Sequence, residues 1–242
     1  MRINERWFEF GLHRSTEMGI KIMEPPILPF PEPMGNQILV PGRDGEVWQD
    51  QDSDKPIDIK IKCCSRLSKL SRIGAWLRGT AGLVVFSKPD HQFTARVSKT
   101  IEPAFAVAGI DPIYKFTVTF TCDPHALLIP ESIPIRATES GSRFNAEGTI
   151  RSRPRVTIRG NGDFTVTIGG QTMGFTDVRD GIIVDTELMD AFTLDGKLLY
   201  NHAVVAGYPF YKIEPGPFTV EWDAEEGSNV ASVEIRPRWR VL

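Results

Sequence analysis

With 242 residues, the chain is long for one average domain and matches the size of two compact ones. Its 41% hydrophobic, 10% aromatic and 24% charged content is that of ordinary globular proteins, which excludes wholesale disorder. A formal net charge of -3 supplies no overall attraction for phosphate backbones, so nucleic acid is a poor partner.

The chain opens Met1-Arg2-Ile3-Asn4-Glu5-Arg6, with charges where a signal peptide carries its apolar segment, and no export signal is expected. From Glu24 to Pro33 the chain is dense in proline, which has no backbone N–H to donate, and it reads as an extended loop or arm. A PxxP ligand for a partner is the sharper and rarer alternative. Gly42-Arg43-Asp44-Gly45 then lies between Ile38-Leu39-Val40 and Val47-Trp48, the pattern of a tight hairpin whose Asp-Gly provides positive φ. Next, Ile57, Ile59, Ile61 and Cys63 alternate with Asp58, Lys60, Lys62 and Cys64. That period of two predicts a strand with Cys63 inward and Cys64 outward. Three cysteines, Cys63, Cys64 and Cys122, without CxxC spacing indicate free thiols suited to a reducing cytosol, neither a disulfide framework nor a zinc site.

Ser65 to Gly79 predicts a helix, capped by Ser65, buried through Leu67, Leu70, Ile73 and Leu77, bordered by Trp76 and ended by Gly79. Its other side carries Arg66, Lys69, Arg72 and Arg78 with no acidic residue; a solvated face is the ordinary explanation and a binding stripe the sharper one. Strands are expected at Leu83 to Phe86, Phe93 to Ser98 and Phe116 to Cys122, the last stopped by Asp123-Pro124. Uncharged apolar runs such as Ala104 to Ile110 fall far short of the roughly 18 to 20 residues that cross a bilayer, so no membrane partner is expected. The chain is loop-like to about Ile135, and Ser140-Gly141-Ser142 adds a polar step, which places a domain boundary near residue 137 and divides 1–136 from 137–242.

The second half is punctuated by Asn161-Gly162, Asp180-Gly181, Asp195-Gly196 and Pro215-Gly216, with short apolar runs between, the rhythm of an antiparallel β-sandwich. Val233, Ile235, Pro237, Trp239 and Val241 alternate with Glu234, Arg236, Arg238 and Arg240, which predicts a terminal strand. Pro237 cannot donate to a ladder and points to a sheet edge.

Chemistry leaves few marks. His13, His91, His125 and His202 have no paired spacing, and there is no GxSxG elbow. Gly196-Lys197 fails as a phosphate loop because Leu198 replaces the required hydroxyl residue. Asp50, Asp52 and Asp54 have the opening spacing of a calcium loop, but Lys55 takes the glycine position and Ile61 that of the bidentate glutamate. Asp223, Glu225 and Glu226 could supply paired carboxylates, yet Gly227-Ser228-Asn229 beside them marks an exposed turn. No catalytic, cofactor-binding or metal-ligating residue is assigned, no cofactor is expected, and the chain is not expected to be an enzyme.

The order of elements resembles the amino-terminal domain of the siphophage distal tail protein (Dit) family, the phage tail components. The resemblance rests on Val40-Pro41-Gly42-Arg43-Asp44-Gly45, the Ile57 to Lys62 strand and a helix closing with Ala75-Trp76-Leu77-Arg78-Gly79. It continues through Leu83 to Phe86, Lys88-Pro89-Asp90, Ala95-Arg96-Val97 and the Phe116 to Pro124 run. The carboxyl half looks like the family's second domain through Pro154 to Gly160, Ile182 to Asp185 and Arg236 to Arg240; the proline density of Glu24 to Pro33 departs from the family pattern.

The resemblance implies a mainly β chain, with an N-terminal β-sandwich-like domain carrying one α-helix and a C-terminal antiparallel β-sandwich similar to galectins or carbohydrate-binding modules. It implies a structural protein of the virion tail tip, assembled in the bacterial host cytoplasm. There it would form a ring, usually a hexamer, that joins the tail tube protein to the tail-associated lysin, the fibre or the receptor-binding apparatus. In such a ring the basic stripe would face a neighbour or the channel. A second reading is a carbohydrate-binding protein that stacks host-surface glycans on Trp222, Tyr208, Tyr211 or Trp239. A hydrolase of cell-wall polymer ranks last.

Overall fold

The computed structural model describes residues 6–130, 133–207 and 210–241, so the amino-terminal run Met1 to Glu5 lies outside the described residues. The chain is mainly β and divides into two compact units, one ending at Ala126 and the other running Leu127–Val241.

The first unit begins with β1 (Phe8–Phe10), β2 (His13–Arg14), β3 (Lys21–Ile22), β4 (Pro33–Leu39), β5 (Glu46–Asp54) and β6 (Ile57–Arg66). Helix α1 (Leu67–Trp76) follows, then β7 (Thr80–Val85), β8 (Lys88–Val97), β9 (Ala104–Val107) and β10 (Ile113–Cys122). An antiparallel sheet runs β2-β1-β7-β8-β10-β6-β3, with β9 also on β10. Its register follows from the period-two pattern. Phe116 lies opposite Cys63, Val118 opposite Ile61 and Phe120 opposite Ile59, and all six side chains are buried. A one-residue slip would move every one of them to the polar face.

Helix α1 rests on this sheet through Ile73, Leu77 and Trp76. The indole stacks on Phe8 at 5.5 Å between centroids and donates from Nε1 to the Phe10 carbonyl at 2.9 Å. The helix ends differ from expectation. Ser65 still belongs to β6, and its hydroxyl donates to the Gly19 carbonyl. The first turn is held instead by Asp111, whose carboxylate accepts from the Ser68 N–H at 3.1 Å and the Ser68 hydroxyl at 2.7 Å. Leu67, assigned to the buried face, is 48% exposed.

β11 (Ala126–Leu128) spans the point where the units part. The second unit then contains β12 (Ile135–Ala137), β13 (Ser142–Ala146), β14 (Arg155–Ile168), β15 (Gln171–Val178), β16 (Ile182–Asp185) and β17 (Asp190–Phe192). β18 (Val204–Ala206), β19 (Gly216–Ala224), β20 (Asn229–Arg236) and β21 (Arg240–Val241) complete it. The fourteen-residue β14 organises this unit. Its first half pairs with β16 and β20, and its second half with β15 and β19. Asn161-Gly162, one of the signals that punctuate this half, is a bend inside this one strand. The register shifts at Arg159/Gly160 and at Gly162/Phe164, and Gly162 takes φ +86, so the chain passes from one sheet to the other without reversing.

The terminal alternation also breaks. β20 ends at Arg236, Arg238 turns through φ +49, and β21 is a separate two-residue strand. Pro237 therefore marks no edge strand, because β20 lies between β12 and β14 and the proline falls after its last pairing. The side chains of Pro237, Trp239 and Val241 are nevertheless all buried, as the alternation demands.

Candidate assembly surfaces

The residues considered for chemistry are scattered. His13 lies beside Glu17 on the surface, the largely covered His91 ring meets the exposed Asp90, and His202 meets the Tyr200 ring. His125 is tied to Asp54 at 2.8 Å with only 8% of its side chain exposed. Asp50 accepts the Asp52 N–H, and Asp54 faces His125, so the three aspartates serve a strand and its root. Glu225 and Ser228 close an exposed turn. Of the aromatic candidates for sugar stacking, Tyr211 and Trp239 are core residues. The Tyr211 hydroxyl donates to the Val166 carbonyl at 2.9 Å, and burial drives its pKa well above the ordinary phenol value. Trp222 is half-buried, and Tyr208 lies outside the described residues.

What the first unit presents instead is a ribbon. β4 and β5 pair only with each other, joined across a turn in which Gly42 and Gly45 both take φ +82, as the Asp-Gly signal requires. The root is fastened twice, by His125 to Asp54 and by Lys55 to Glu32 through both an ion pair of 3.1 Å and a backbone hydrogen bond. Beyond the root the ribbon carries large apolar side chains into solvent: Leu39 is 74% exposed and Trp48 49%, with Ile38 and Val40 nearby. The proline-dense approach adds exposed Ile27 and Phe30. A lone two-stranded hairpin is marginally stable in water, and exposed apolar groups of this size signal a covering partner.

A second surface is the solvent side of α1. Lys69 and Arg72 are exposed on the helix, Arg66 is exposed at the end of β6 just before it, and Arg78 is exposed beyond its last residue. Asp111 sits at the head of the helix. Its hydrogen bonds from Ser68, and then the charges of Arg66 and Lys69, hold its carboxyl below the ordinary carboxylate range. In the second unit, the edge strand β18 borders a shallow groove of about 290 Å³ lined by Met189, Asn201, Val204, Val205, Ala206 and Phe210.

The hairpin and the basic stripe are both legible in the sequence. The fastening of the ribbon to His125 is not, because Asp54 and His125 are 71 residues apart.

No family model matches the chain, and no curated protein matches it by sequence. A solved structure does resemble it: the SPP1 Dit protein, described as a paradigm of the hub adsorption apparatus in phages that infect Gram-positive bacteria. The likeness covers 95% of this chain and 97% of that one, with a TM-score of 0.72 and 12% sequence identity. At that identity the likeness is one of architecture, and the chain therefore has the fold of the SPP1 Dit protein along nearly its whole length.

Proposed function

We propose that this chain is a structural component of a phage tail tip, a ring-forming hub that joins the tail tube to the lysin, fibre or receptor-binding apparatus. The single observation that carries the reading is the whole-chain likeness to a protein of a hub adsorption apparatus, which spans both units. The ribbon of β4 and β5 supports it, because a fastened, uncovered apolar hairpin is suited to binding in trans. Head-to-tail contacts between identical subunits close only under rotational symmetry, so the reading requires a cyclic assembly, with six copies the expected number. It also makes the work of the protein assembly in the host cytoplasm and non-covalent scaffolding in the virion, with no reaction of its own.

Native mass spectrometry of the full chain tests this. A discrete cyclic multiple of the 27.1 kDa subunit is expected, with six the leading species. A single 27.1 kDa species at every concentration, unchanged when a tail tube protein is added, would contradict it.

A further inference from the structure

The proline-dense stretch from Glu24 to Pro33 precedes the ribbon and belongs to no sheet until β4 begins at Pro33. Its backbone is nearly determined by its sequence. Five of its ten residues, Pro25, Pro26, Pro29, Pro31 and Pro33, have φ fixed at about -65° by the ring. Glu24, Leu28, Phe30 and Glu32 each precede a proline, which pushes them to extended conformations. Only Ile27 escapes both constraints. Such a segment suits the polyproline helix, which has about three residues per turn and rises about 3.1 Å per residue.

The burial pattern has that period. Leu28, Pro31 and Met34 are half-buried, as is Pro26, whereas Ile27, Phe30 and Pro33 are exposed, so one ridge faces the protein and the next faces water. Ile27 is 82% exposed and Phe30 79%, and a spacing of three residues sets them about 9 Å apart on the outer ridge. Both ends are fastened. Met23 donates its N–H to the Lys62 carbonyl at 2.9 Å, and Glu24 is ion-paired with Lys62. The Glu32 carbonyl accepts the Lys55 N–H at 2.8 Å and its carboxylate the Lys55 ammonium at 3.1 Å. Between these ties, among the described residues, no backbone–backbone hydrogen bond engages Pro25 to Pro31.

Two large apolar side chains are thus held outward on a rod with little conformational freedom left to lose, which favours binding by a partner. The chemistry of the rod defines that partner. Pro25 to Pro31 carries no charge, and the carboxylates at its ends are matched by Lys62 and Lys55, so a basic cleft has little to recognise. Flat rings, by contrast, pack against prolyl faces and between Ile27 and Phe30. The carbonyls of the rod lack backbone partners, and tryptophan N–H and tyrosine O–H each place a donor on an apolar ring. The groove beside β18 on another copy does not fit this description, because Phe210 is its single aromatic lining residue.

We propose that Glu24 to Pro33 is a polyproline ligand whose Ile27–Phe30 ridge docks in a groove walled by tryptophan and tyrosine on a different protein of the tail tip. This docking rests on the tail-tip reading above and adds a partner of defined chemistry to it.

Photocrosslinking tests it, with Phe30→p-benzoylphenylalanine in the full-length chain carried into phage particles and irradiated there. The expected product joins this chain to a different tail protein, within a peptide that bears tryptophan or tyrosine. Two further changes are made beside the probe: Ile27→Ala, which cuts the ridge, and P29G/P31G, which keeps Ile27 but frees the backbone. Each is expected to lower the yield per incorporated chain at least about fivefold. Products only between copies of this chain, no product in particles that contain it, or full yield from P29G/P31G would overturn the docking and leave the tail-tip reading standing. Particles that never contain the chain would overturn that reading, and the docking with it.

Discussion

Asp185 is a carboxylate almost out of water, with 4% of its side chain exposed, and Arg238 meets it with two hydrogen bonds of 2.8 Å. Burial works against its charge. The Arg238 hydrogen bonds and charge, joined by the N–H groups of Leu188 and Glu187, outweigh burial and hold the carboxyl below its ordinary range. A carboxyl lowered in the folded state contributes stability that is fully present above its unfolded pKa and is lost as pH falls through the folded value. Asp185→Asn should therefore cost about 3 kcal/mol in denaturant unfolding at pH 7, by leaving Arg238 without its main partner, and the variant should lose less on acidification than the parent. Equal midpoints at pH 7 would refute this role.

The thiols behave in the opposite sense. Burial first, and then Cys64, pushes the Cys63 thiol up to about 12; burial first, and then Asp123 and Asp58, does the same to Cys122. Neither is a nucleophile at neutral pH, so a thiol reagent should modify only the half-buried Cys64 in native protein and all three after unfolding. Fast native reaction of two or more would show that the β6–β10 core is open. At this scale Cys63 was readable from strand periodicity alone. The Asp185–Arg238 pair was not, since its partners are 53 residues apart and meet only when β20 has been placed.

At the scale of elements, β14 carries most of the second unit, and its bend depends on Gly162. A side chain there would need positive φ and would collide with Ser228, whose hydroxyl meanwhile accepts the Asp163 N–H at 2.9 Å. Gly162→Ala is expected to destabilise the second unit by about 2 kcal/mol through backbone strain and crowding, measured by chemical denaturation. A loss below about 0.5 kcal/mol, the size of an ordinary surface change, would mean that the bend tolerates an ordinary residue. Here the sequence is ambiguous for a physical reason: Asn-Gly supplies positive φ equally to a two-residue hairpin and to a bulge, and only the long-range partners β19 and β20 choose between them. β6 and β10 had no such ambiguity, because alternating Ile and Phe with one buried face admits a single register. The start of α1 failed on a related ground, its cap being Asp111, 43 residues further along, and not the local serine.

At the scale of the molecule, the expectation of a mainly β chain with one α-helix agrees with the structure, and the likeness to the SPP1 Dit protein extends over both compact units, which part at Ala126. The candidate surfaces were half legible. The hairpin and the basic stripe could be read from spacing and charge, but the contact from Asp54 to His125, 71 residues away, that fastens the ribbon could not. The proposed role requires a closed ring of identical subunits, and electron cryomicroscopy of the purified full-length protein can show whether one forms. Top views with six-fold rotational symmetry are expected. Isolated monomers, a two-fold dimer or an open filament across all concentrations would contradict it.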